Sequence, residues 1–183
     1  IDIDLGAYVR TNGFTGPRNV AQFLSGPYYV PNIGVDAAVV VTNKTPAGTY
    51  RGPGRFEASF FCERLLDVAA HDLDLDPAEL RRRNLIGEER MPYQLARMAH
   101  VDPSAETWCD GGAYQLTLQR CLDEFGWADK SKLRGRLIGG RHHGAAVACF
   151  IEGGAAGPSE SARMTLAPDG AGESVLRWLV ERP

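Results

Sequence analysis

The chain contains 183 residues, of which 44% are hydrophobic and 23% are charged, proportions that are ordinary for a globular protein. A net charge of −3 gives no electrostatic reason to expect a nucleic-acid partner. No apolar run is long enough to cross a bilayer, and the acidic start of the sequence does not resemble a secretory signal. We therefore expect a cytoplasmic protein with four scattered, reduced cysteines. The sequence begins directly in strand-like residues, which suggests a fragment or a processed chain.

The N-terminal part predicts two strands separated by a loop. Residues 1–9 alternate well enough for a strand. Residues 10–26 are rich in Gly, Asn, Thr and Pro, so we expect them to form a surface loop. Residues 33–41 predict a second strand, apolar enough to be covered on both faces.

The stretch TNKTPAGTYRGPGR (residues 42–55) follows this strand and precedes a helical pattern. A strand, a tight loop and a helix N-terminus are therefore expected. Gly52 and Gly54 allow backbone angles that are closed to other residues, and they let a ligand approach the main chain. The first N–H groups of the helix lack intrahelical partners and can face an anion. Arg51 adds a planar positive group beside them, which makes this loop the candidate binding site.

Residues 56–75 predict an amphipathic helix. Its apolar stripe repeats at three- and four-residue spacing, and we expect Leu65, at the centre of the stripe, to be buried. The stripe consists of Ala58, Cys62, Leu65, Leu66, Ala69 and Leu73. Asp76 then fits a helix N-cap, because Pro77 suits the first helical position and Glu79 completes a capping box. This second helix should end near Leu85.

The remaining sequence predicts one more helix and two or three late strands. Residues 87–107 contain few core residues and are expected to connect two parts of the fold. Residues 112–127 predict a helix, and residues 144–151 and 161–166 predict strands. The adjacent pair His142 and His143 has no further ligands at metal-binding spacing, so no metal ligand is assigned. Together these elements indicate an α+β fold with mixed sheets and packed helices.

Six segments carry a family resemblance. They are DLGAY, GPYYVPN, TNKTPAGTYRGPGR, DPAELRRRNLI, GGAY and ACFIEGGAAGPSESARMTLAPDG. In this order they resemble the molybdenum-binding large subunit of the molybdenum hydroxylases, the superfamily of xanthine dehydrogenase, aldehyde oxidase and carbon monoxide dehydrogenase. A lone RGxG would be a weak signal, whereas six ordered segments are a strong one.

The resemblance implies a domain plan and a function. Residues 1–107 would end the first molybdenum-cofactor-binding subdomain, and residues 108–183 would begin the second. The implied cofactor is molybdopterin, as the cytosine dinucleotide, with iron–sulfur clusters and FAD on partner domains or subunits. The other implied partners are the rest of the large subunit and a small-molecule substrate, with no nucleic acid and no membrane. The implied reaction hydroxylates an aldehyde or N-heterocycle carbon with water as the oxygen source.

The resemblance also implies which residues face the cofactor. In the family, the arginine of this loop lies beside the molybdenum centre, so Tyr50, Arg51, Gly52 and Pro53 are the expected cofactor-binding residues. Carbon monoxide enzymes carry a cysteine where Gly52 stands, which makes a copper-bearing site unexpected here. Many purine and aldehyde enzymes carry an aromatic residue where Pro53 stands, so a flat purine would lose a stacking surface.

No residue of the chain is assigned a catalytic role. Purine enzymes place a substrate-binding arginine at the position of Asn19, and Arg18 is one residue away, so nothing is carried over. Glu152 lies in a segment that resembles the pocket wall of the family, but a structural role at a strand end is the expectation for both Glu152 and Glu160. The family's catalytic glutamate lies near the C-terminus of a much longer subunit, so this chain alone is expected to be inactive. A catalytically silent structural fragment and a subunit-docking module remain alternative functions.

Overall fold

The computed structural model describes residues 1–10, 12–95, 108–109 and 111–152, together with the backbone of two later strands. The chain divides into two units, Ile1–Ile151 and Glu152–Pro183. The subdomain boundary predicted at residues 107 and 108 falls at the edge of a segment that lies outside the described residues. No helix in the described part is long and apolar enough to cross a membrane.

Helices and short strands alternate along the first unit. Its helices are α1 (Thr15–Phe23), α2 (Arg55–Asp72), α3 (Pro77–Asn84), α4 (Tyr114–Phe125) and α5 (Trp127–Lys130), with 3₁₀ turns at Glu88–Arg90 and Ser131–Leu133. Its strands are β1 (Asp2–Asp4), β2 (Ala38–Val40), β3 (Tyr93–Gln94), β4 (Trp108–Cys109), β5 (Leu137–Ile138) and β6 (Arg141–His142). In the second unit, β7 (Ser161–Leu166) and β8 (Gly172–Arg177) form an antiparallel pair.

The predicted α+β class is confirmed. Strands β1 and β2 pair in parallel, with Ile3 opposite Val39, whereas β3–β4 and β5–β6 pair antiparallel. Helix α1 packs against α2, and α2 packs against α3. Parallel and antiparallel pairs with helices packed beside them are the predicted mixed arrangement.

The loop predicted for residues 10–26 is wrong, because α1 occupies most of it. Pro17 lies in the first turn of α1, where a missing N–H costs no hydrogen bond. Asn19 and Val20 are buried on the side of the helix that faces the rest of the unit. A nine-residue helix with few apolar residues is marginal by itself, so packing rather than local propensity decides its formation.

The buried face of α2 differs from the predicted stripe. Leu65 is 67% exposed, so the expectation that it is buried is wrong. The buried positions are Ala58, Glu63 and Ala70, while Cys62 and Leu66 pack partly buried against the core. The helix therefore presents a glutamate inward, because a buried arginine on α3 holds that glutamate.

Two strand predictions also change. Strand β2 is not covered on both faces, since Val39 and Val40 are 37% and 46% exposed. Residues 144–151 form no strand pair with any described residue. Their burial still alternates, with Val147 and Cys149 packed against the core and Phe150 exposed, as expected for an extended segment lying on an apolar surface.

Helix α3 begins as predicted at Asp76, with one difference. The Asp76 carboxylate accepts hydrogen bonds from Ala78 N at 2.7 Å and from Glu79 N at 3.1 Å, which confirms the N-cap. Glu79 does not complete the capping box, because its carboxylate pairs with Arg82 and Arg83. Asp76 also accepts a hydrogen bond of 3.0 Å from the Trp127 indole, which joins α3 to α5.

A buried arginine connects α2, α3 and the segment before β2. The Arg81 side chain is fully buried, and its Nε donates to Glu63 Oε2 at 2.7 Å. Its Nη2 donates to Asp67 Oδ1 at 3.0 Å and to the Glu63 carbonyl at 3.1 Å. Tyr28 donates to the other Glu63 oxygen at 2.5 Å, and burial together with this hydrogen bond raises the pKa of Tyr28. The buried guanidinium is therefore paired with two carboxylates, and both oxygens of the buried Glu63 side chain are hydrogen-bonded.

Replacing Arg81 tests this arrangement. Arg81→Ala leaves Glu63 charged, buried and without its partner, so the free energy of unfolding should fall by about 3–5 kcal/mol. Arg83 lies on the same helix and makes an exposed ion pair with Glu79, so Arg83→Ala should cost only about 0.5 kcal/mol. Urea unfolding of both variants measures the difference, and equal losses would contradict the buried role of Arg81.

Candidate functional site

The loop of residues 42–54 is held at its beginning by backbone contacts with the chain after β1. Thr42 N donates to the Gly6 carbonyl, and Ala7 N donates to the Lys44 carbonyl, both at 2.9 Å. Gly6 has φ +77°, and a Cβ there would lie 2.3 Å from the Thr45 carbonyl oxygen. Only glycine combines this backbone angle with this close approach.

Asp4 adds an electrostatic anchor at the same end of the loop. Its carboxylate contacts Lys44 Nζ at 2.9 Å, accepts from Gly6 N at 2.9 Å and accepts from Thr42 Oγ1 at 2.9 Å. The Lys44 hydrogen bond, followed by those from Gly6 and Thr42, lowers the pKa of Asp4 to about 2. The anchor is thus fully charged at neutral pH.

Helix α1 holds the far end of the loop. Buried Asn19 donates from Nδ2 to the Pro53 carbonyl at 2.9 Å. Gly54 has φ +77°, and a Cβ there would lie 2.2 Å from the Gly16 carbonyl oxygen. The backbone of the loop therefore lies directly on the backbone of α1, a contact that leaves no space for a side chain.

Between these anchors the loop exposes the predicted cofactor-binding residues. Tyr50 is 77% exposed, Arg51 is exposed and Gly52 has φ +69°. The Arg51 guanidinium makes no hydrogen bond or ion pair with the described residues. The four predicted residues are consecutive: Tyr50 and Arg51 are exposed, whereas Gly52 and Pro53 are partly buried where the loop approaches α2.

The first turn of α2 adds a polar group that the sequence analysis did not single out. Glu57 Oε2 is buried and has no hydrogen-bond partner in the described part of the chain. A buried acceptor without a donor is unfavourable, so this oxygen suits a donor from another group. It lies six residues after Arg51 in the sequence, on the helix that the loop introduces.

The other polar candidates are placed apart from this loop or have structural roles. Arg18 donates to Asn19 Oδ1 at 3.2 Å and lines a cavity of about 510 Å³ between α1 and β2. His142 lies exposed on β6, and among the described residues no group of three or more His, Cys, Asp or Glu side chains is placed to hold a metal. Burial raises the pKa of the Cys62 thiol to about 11, so that thiol stays protonated at neutral pH.

A family model matches the part of the chain that contains this loop, and several known proteins match the chain. Residues 1–85 match the family described as the molybdopterin cofactor-binding domain. The chain is 42% identical over 88 residues to the 6-hydroxypseudooxynicotine dehydrogenase complex subunit gamma of Paenarthrobacter nicotinovorans, covering 48% of this chain and 11% of that protein. It is 31% identical over 150 residues to the carbon monoxide dehydrogenase large chain of Hydrogenophaga pseudoflava, covering 79% of this chain and 18% of that protein.

Solved structures agree with the sequence matches. Quinoline 2-oxidoreductase from Pseudomonas putida 86 aligns with a TM-score of 0.59 at 27% identity, over 72% of this chain and 16% of that chain. The aldehyde oxidoreductase from Desulfovibrio gigas aligns with a TM-score of 0.58 over 94% of this chain and 18% of that chain, and at 21% identity it shows the fold alone.

Residues 1–85 thus form a molybdopterin cofactor-binding domain. The chain belongs to the superfamily of molybdenum hydroxylase large subunits, which includes xanthine dehydrogenase, aldehyde oxidoreductase and carbon monoxide dehydrogenase. The predicted family is confirmed. The chain spans less than a fifth of the length of the curated relatives that it matches.

The Asp4 anchor predicts a specific acid sensitivity. Because the folded-state pKa of Asp4 lies below its ordinary value of 3.8, its contribution to stability is present above pH 3.8 and is lost as the pH falls toward 2. The thermal midpoint should therefore fall less over this range in Asp4→Asn than in the wild-type protein. Asp2→Asn, an exposed change on the same strand, is the control, and an unchanged acid response in Asp4→Asn would contradict the anchor.

The Asn19 anchor predicts a donor-specific effect. Asn19→Asp keeps the shape of the side chain but places an oxygen against the Pro53 carbonyl, so it should destabilise the fold by about 1–3 kcal/mol. Asn12→Asp changes a similar bond, from Asn12 Nδ2 to Thr49 Oγ1, at an exposed site. The threonine hydroxyl can donate to the new carboxylate, so this control should change stability by about 0.5 kcal/mol or less. Chemical unfolding of both variants measures the difference.

Proposed function

We propose that the full-length protein is an oxidoreductase that hydroxylates an aldehyde or N-heterocycle carbon with oxygen from water. Tyr50, Arg51, Gly52 and Pro53 would face its molybdopterin cofactor, in the cytosine dinucleotide form. The observation that carries this proposal is the exposed Arg51, which has no partner among the described residues, on a loop whose two ends are fixed by Gly6 and Gly54. A rigid loop that exposes a cation and glycine backbone is suited to an anionic ligand.

The residues present fit the chemistry of this cofactor. The Arg51 guanidinium supplies donors for oxygen atoms of an anionic group. Gly52 leaves its main chain accessible, because it carries no side chain. The unpaired Glu57 Oε2 can accept a hydrogen bond from an N–H group such as those of a pterin. A set that offers donors and one acceptor matches a ligand that carries both anionic oxygens and ring N–H groups.

The part played by this chain is to bind and orient. When bound, the molybdenum centre would supply a water-derived oxygen and accept the electrons of the oxidation. Arg51 would hold the anionic side of the cofactor, and Asn19 would fix the carbonyl of Pro53 so that the loop does not shift. The chain contains no residue that we assign as the catalytic base, so we propose that another part of the protein provides it.

The substrate and partners follow from the same proposal. Relatives are named for quinoline, nicotine, nicotinate and aldehyde oxidation, so a small N-heterocycle or aldehyde is the proposed substrate class. Gly52 stands where carbon monoxide enzymes carry a cysteine, and we therefore propose a different substrate from carbon monoxide. Iron–sulfur and flavin subunits or domains would accept the electrons, and one relative is named as a subunit of a dehydrogenase complex. Residues 1–107 and 108–183 would belong to two successive cofactor-binding subdomains.

Substitution of Arg51 in the full-length protein tests the proposal. Arg51→Ala should lower the molybdenum content per subunit and turnover, because a charge-assisted hydrogen bond of about 1.5–3 kcal/mol is removed. Arg51→Lys should restore only part of the loss, because it keeps the charge and lacks the planar group. Elemental analysis, kcat and the thermal midpoint are measured together.

Arg64→Ala is the matched control, because Arg64 is an exposed arginine on α2. It should leave molybdenum content, turnover and the thermal midpoint unchanged. Arg51 is exposed, so its replacement should also leave the thermal midpoint of the cofactor-free protein unchanged. Normal metal content and turnover in Arg51→Ala would show that Arg51 is an ordinary loop residue.

A further inference from the structure

A second exposed feature of the first unit has no part in the cofactor loop. Residues 130–143 contain five Lys and Arg side chains and no Asp or Glu, although the whole chain carries a net charge of −3. Within this segment β5 and β6 form a hairpin around Gly139 and Gly140, whose φ values are +57° and +75°. Two consecutive residues with positive φ are typical of a tight type I′ turn. We call residues 134–143 the basic hairpin.

The basic hairpin projects from the unit. Leu137 and Ile138 are neighbours on one strand, so their side chains point to opposite faces, yet they are 63% and 41% exposed. Neither face of the hairpin is therefore covered by the described core. A two-stranded hairpin with an apolar side chain exposed on each face buries little apolar surface and is only marginally stable by itself. Contact with another protein surface would therefore stabilise it.

The charges of the hairpin are also unmatched. Lys132 pairs with Asp129 at 3.1 Å, and Lys130 lies over the Phe125 ring. Arg134, Arg136 and Arg141, by contrast, are exposed and make no ion pair or hydrogen bond from their side chains with the described residues. The hairpin thus carries three exposed guanidinium groups that have no partner among the described residues, together with two exposed apolar side chains.

The strand register gathers these groups on one face. Ile138 lies opposite Arg141, and the backbone of His143 N donates to Arg136 O at 3.0 Å. Alternation along the two strands then places Arg136, Ile138 and Arg141 on the same face. Arginine is enriched among the residues that carry binding energy at protein interfaces, and an aliphatic side chain between two arginines can fill an apolar pocket.

We propose that this face of the basic hairpin docks onto an acidic surface of a separate protein subunit, with Ile138 in an apolar pocket and Arg136 and Arg141 paired with carboxylates. The charge excess selects an acidic partner. The exposed Ile138 on this face favours a protein over a nucleic acid, and the hairpin has no Phe, Tyr or Trp side chain on which a base could stack. This inference rests on the proposed function only in taking the protein to work with partner subunits.

The test uses the full-length protein and its separately purified partner subunits. Arg136→Glu and Arg141→Glu should each raise the Kd by at least about tenfold at low salt, because they place like charges against the acidic surface. Ile138→Ser should weaken binding without changing its salt dependence. The matched controls are Arg64→Glu and Leu65→Ser on α2, which change an exposed arginine and a 67% exposed leucine and should leave the Kd unchanged.

Several results would overturn the docking proposal. One is an identical Kd and salt dependence for Arg136→Glu and Arg64→Glu. Another is light scattering that shows self-association of the protein, lost in the hairpin variants, because the occupant would then be a second copy. A lower thermal midpoint of the isolated protein in the hairpin variants would show that the hairpin packs within its own subunit. Binding of a DNA oligonucleotide that is lost in the hairpin variants, with no binding of the subunits, would show a nucleic-acid surface.

The molybdenum content is measured in the same samples, so that the two proposals are tested separately. Loss of subunit binding in Arg136→Glu with normal molybdenum supports docking and leaves the cofactor proposal intact. A wild-type protein that lacks molybdenum but still binds its subunits through the hairpin would contradict the proposed function and support docking.

Discussion

The site depends on two places where backbone lies directly on backbone. At Gly6 the chain after β1 contacts the Thr45 carbonyl, and at Gly54 the start of α2 contacts the Gly16 carbonyl of α1. Both glycines have φ +77°, and a Cβ at either position would overlap a carbonyl oxygen. These contacts fix the two ends of the loop, and Asn19 fixes the Pro53 carbonyl between them. Tyr50 and Arg51 can therefore be exposed without the loop being loose, which is what a cofactor-binding segment requires.

The core beneath the loop is organised by charge as well as by apolar packing. Arg81 joins two helices through Glu63 and Asp67, and Tyr28 completes the group from the other side of Glu63. Leu118, Leu122 and Trp127 pack in the same cluster as Tyr28. These contacts hold Glu63 on the side of α2 that faces the core. Glu57 lies on the first turn of the same helix, about two turns before this ion pair.

The sequence predicted what local signals determine and missed what depends on distant partners. The loop, the helices α2 and α4 and the Asp76 cap follow from glycine spacing, apolar periodicity and capping chemistry. Helix α1 was missed because Gly16, Pro17 and Asn19 favour a loop locally, whereas packing against α2 and contacts with Gly54 and Pro53 stabilise the helix. Leu65 was predicted to be buried because apolar periodicity favours a leucine over Glu63 at an inward position. No local signal shows that Arg81 pairs with that glutamate. Among the site residues, Asn19 could not be recognised, because its role is a bond to a carbonyl 34 residues away.

We propose above that the cofactor lies against the segment Tyr50 to Pro53. Crystals of the full-length protein, measured at the molybdenum absorption edge, locate the metal directly through its anomalous signal. If the cofactor binds there, we expect a single molybdenum peak on the side of the loop where Tyr50 and Arg51 are exposed, with cofactor density that reaches the Arg51 guanidinium. A molybdenum peak remote from this loop, with Arg51 still facing solvent, would contradict the proposal.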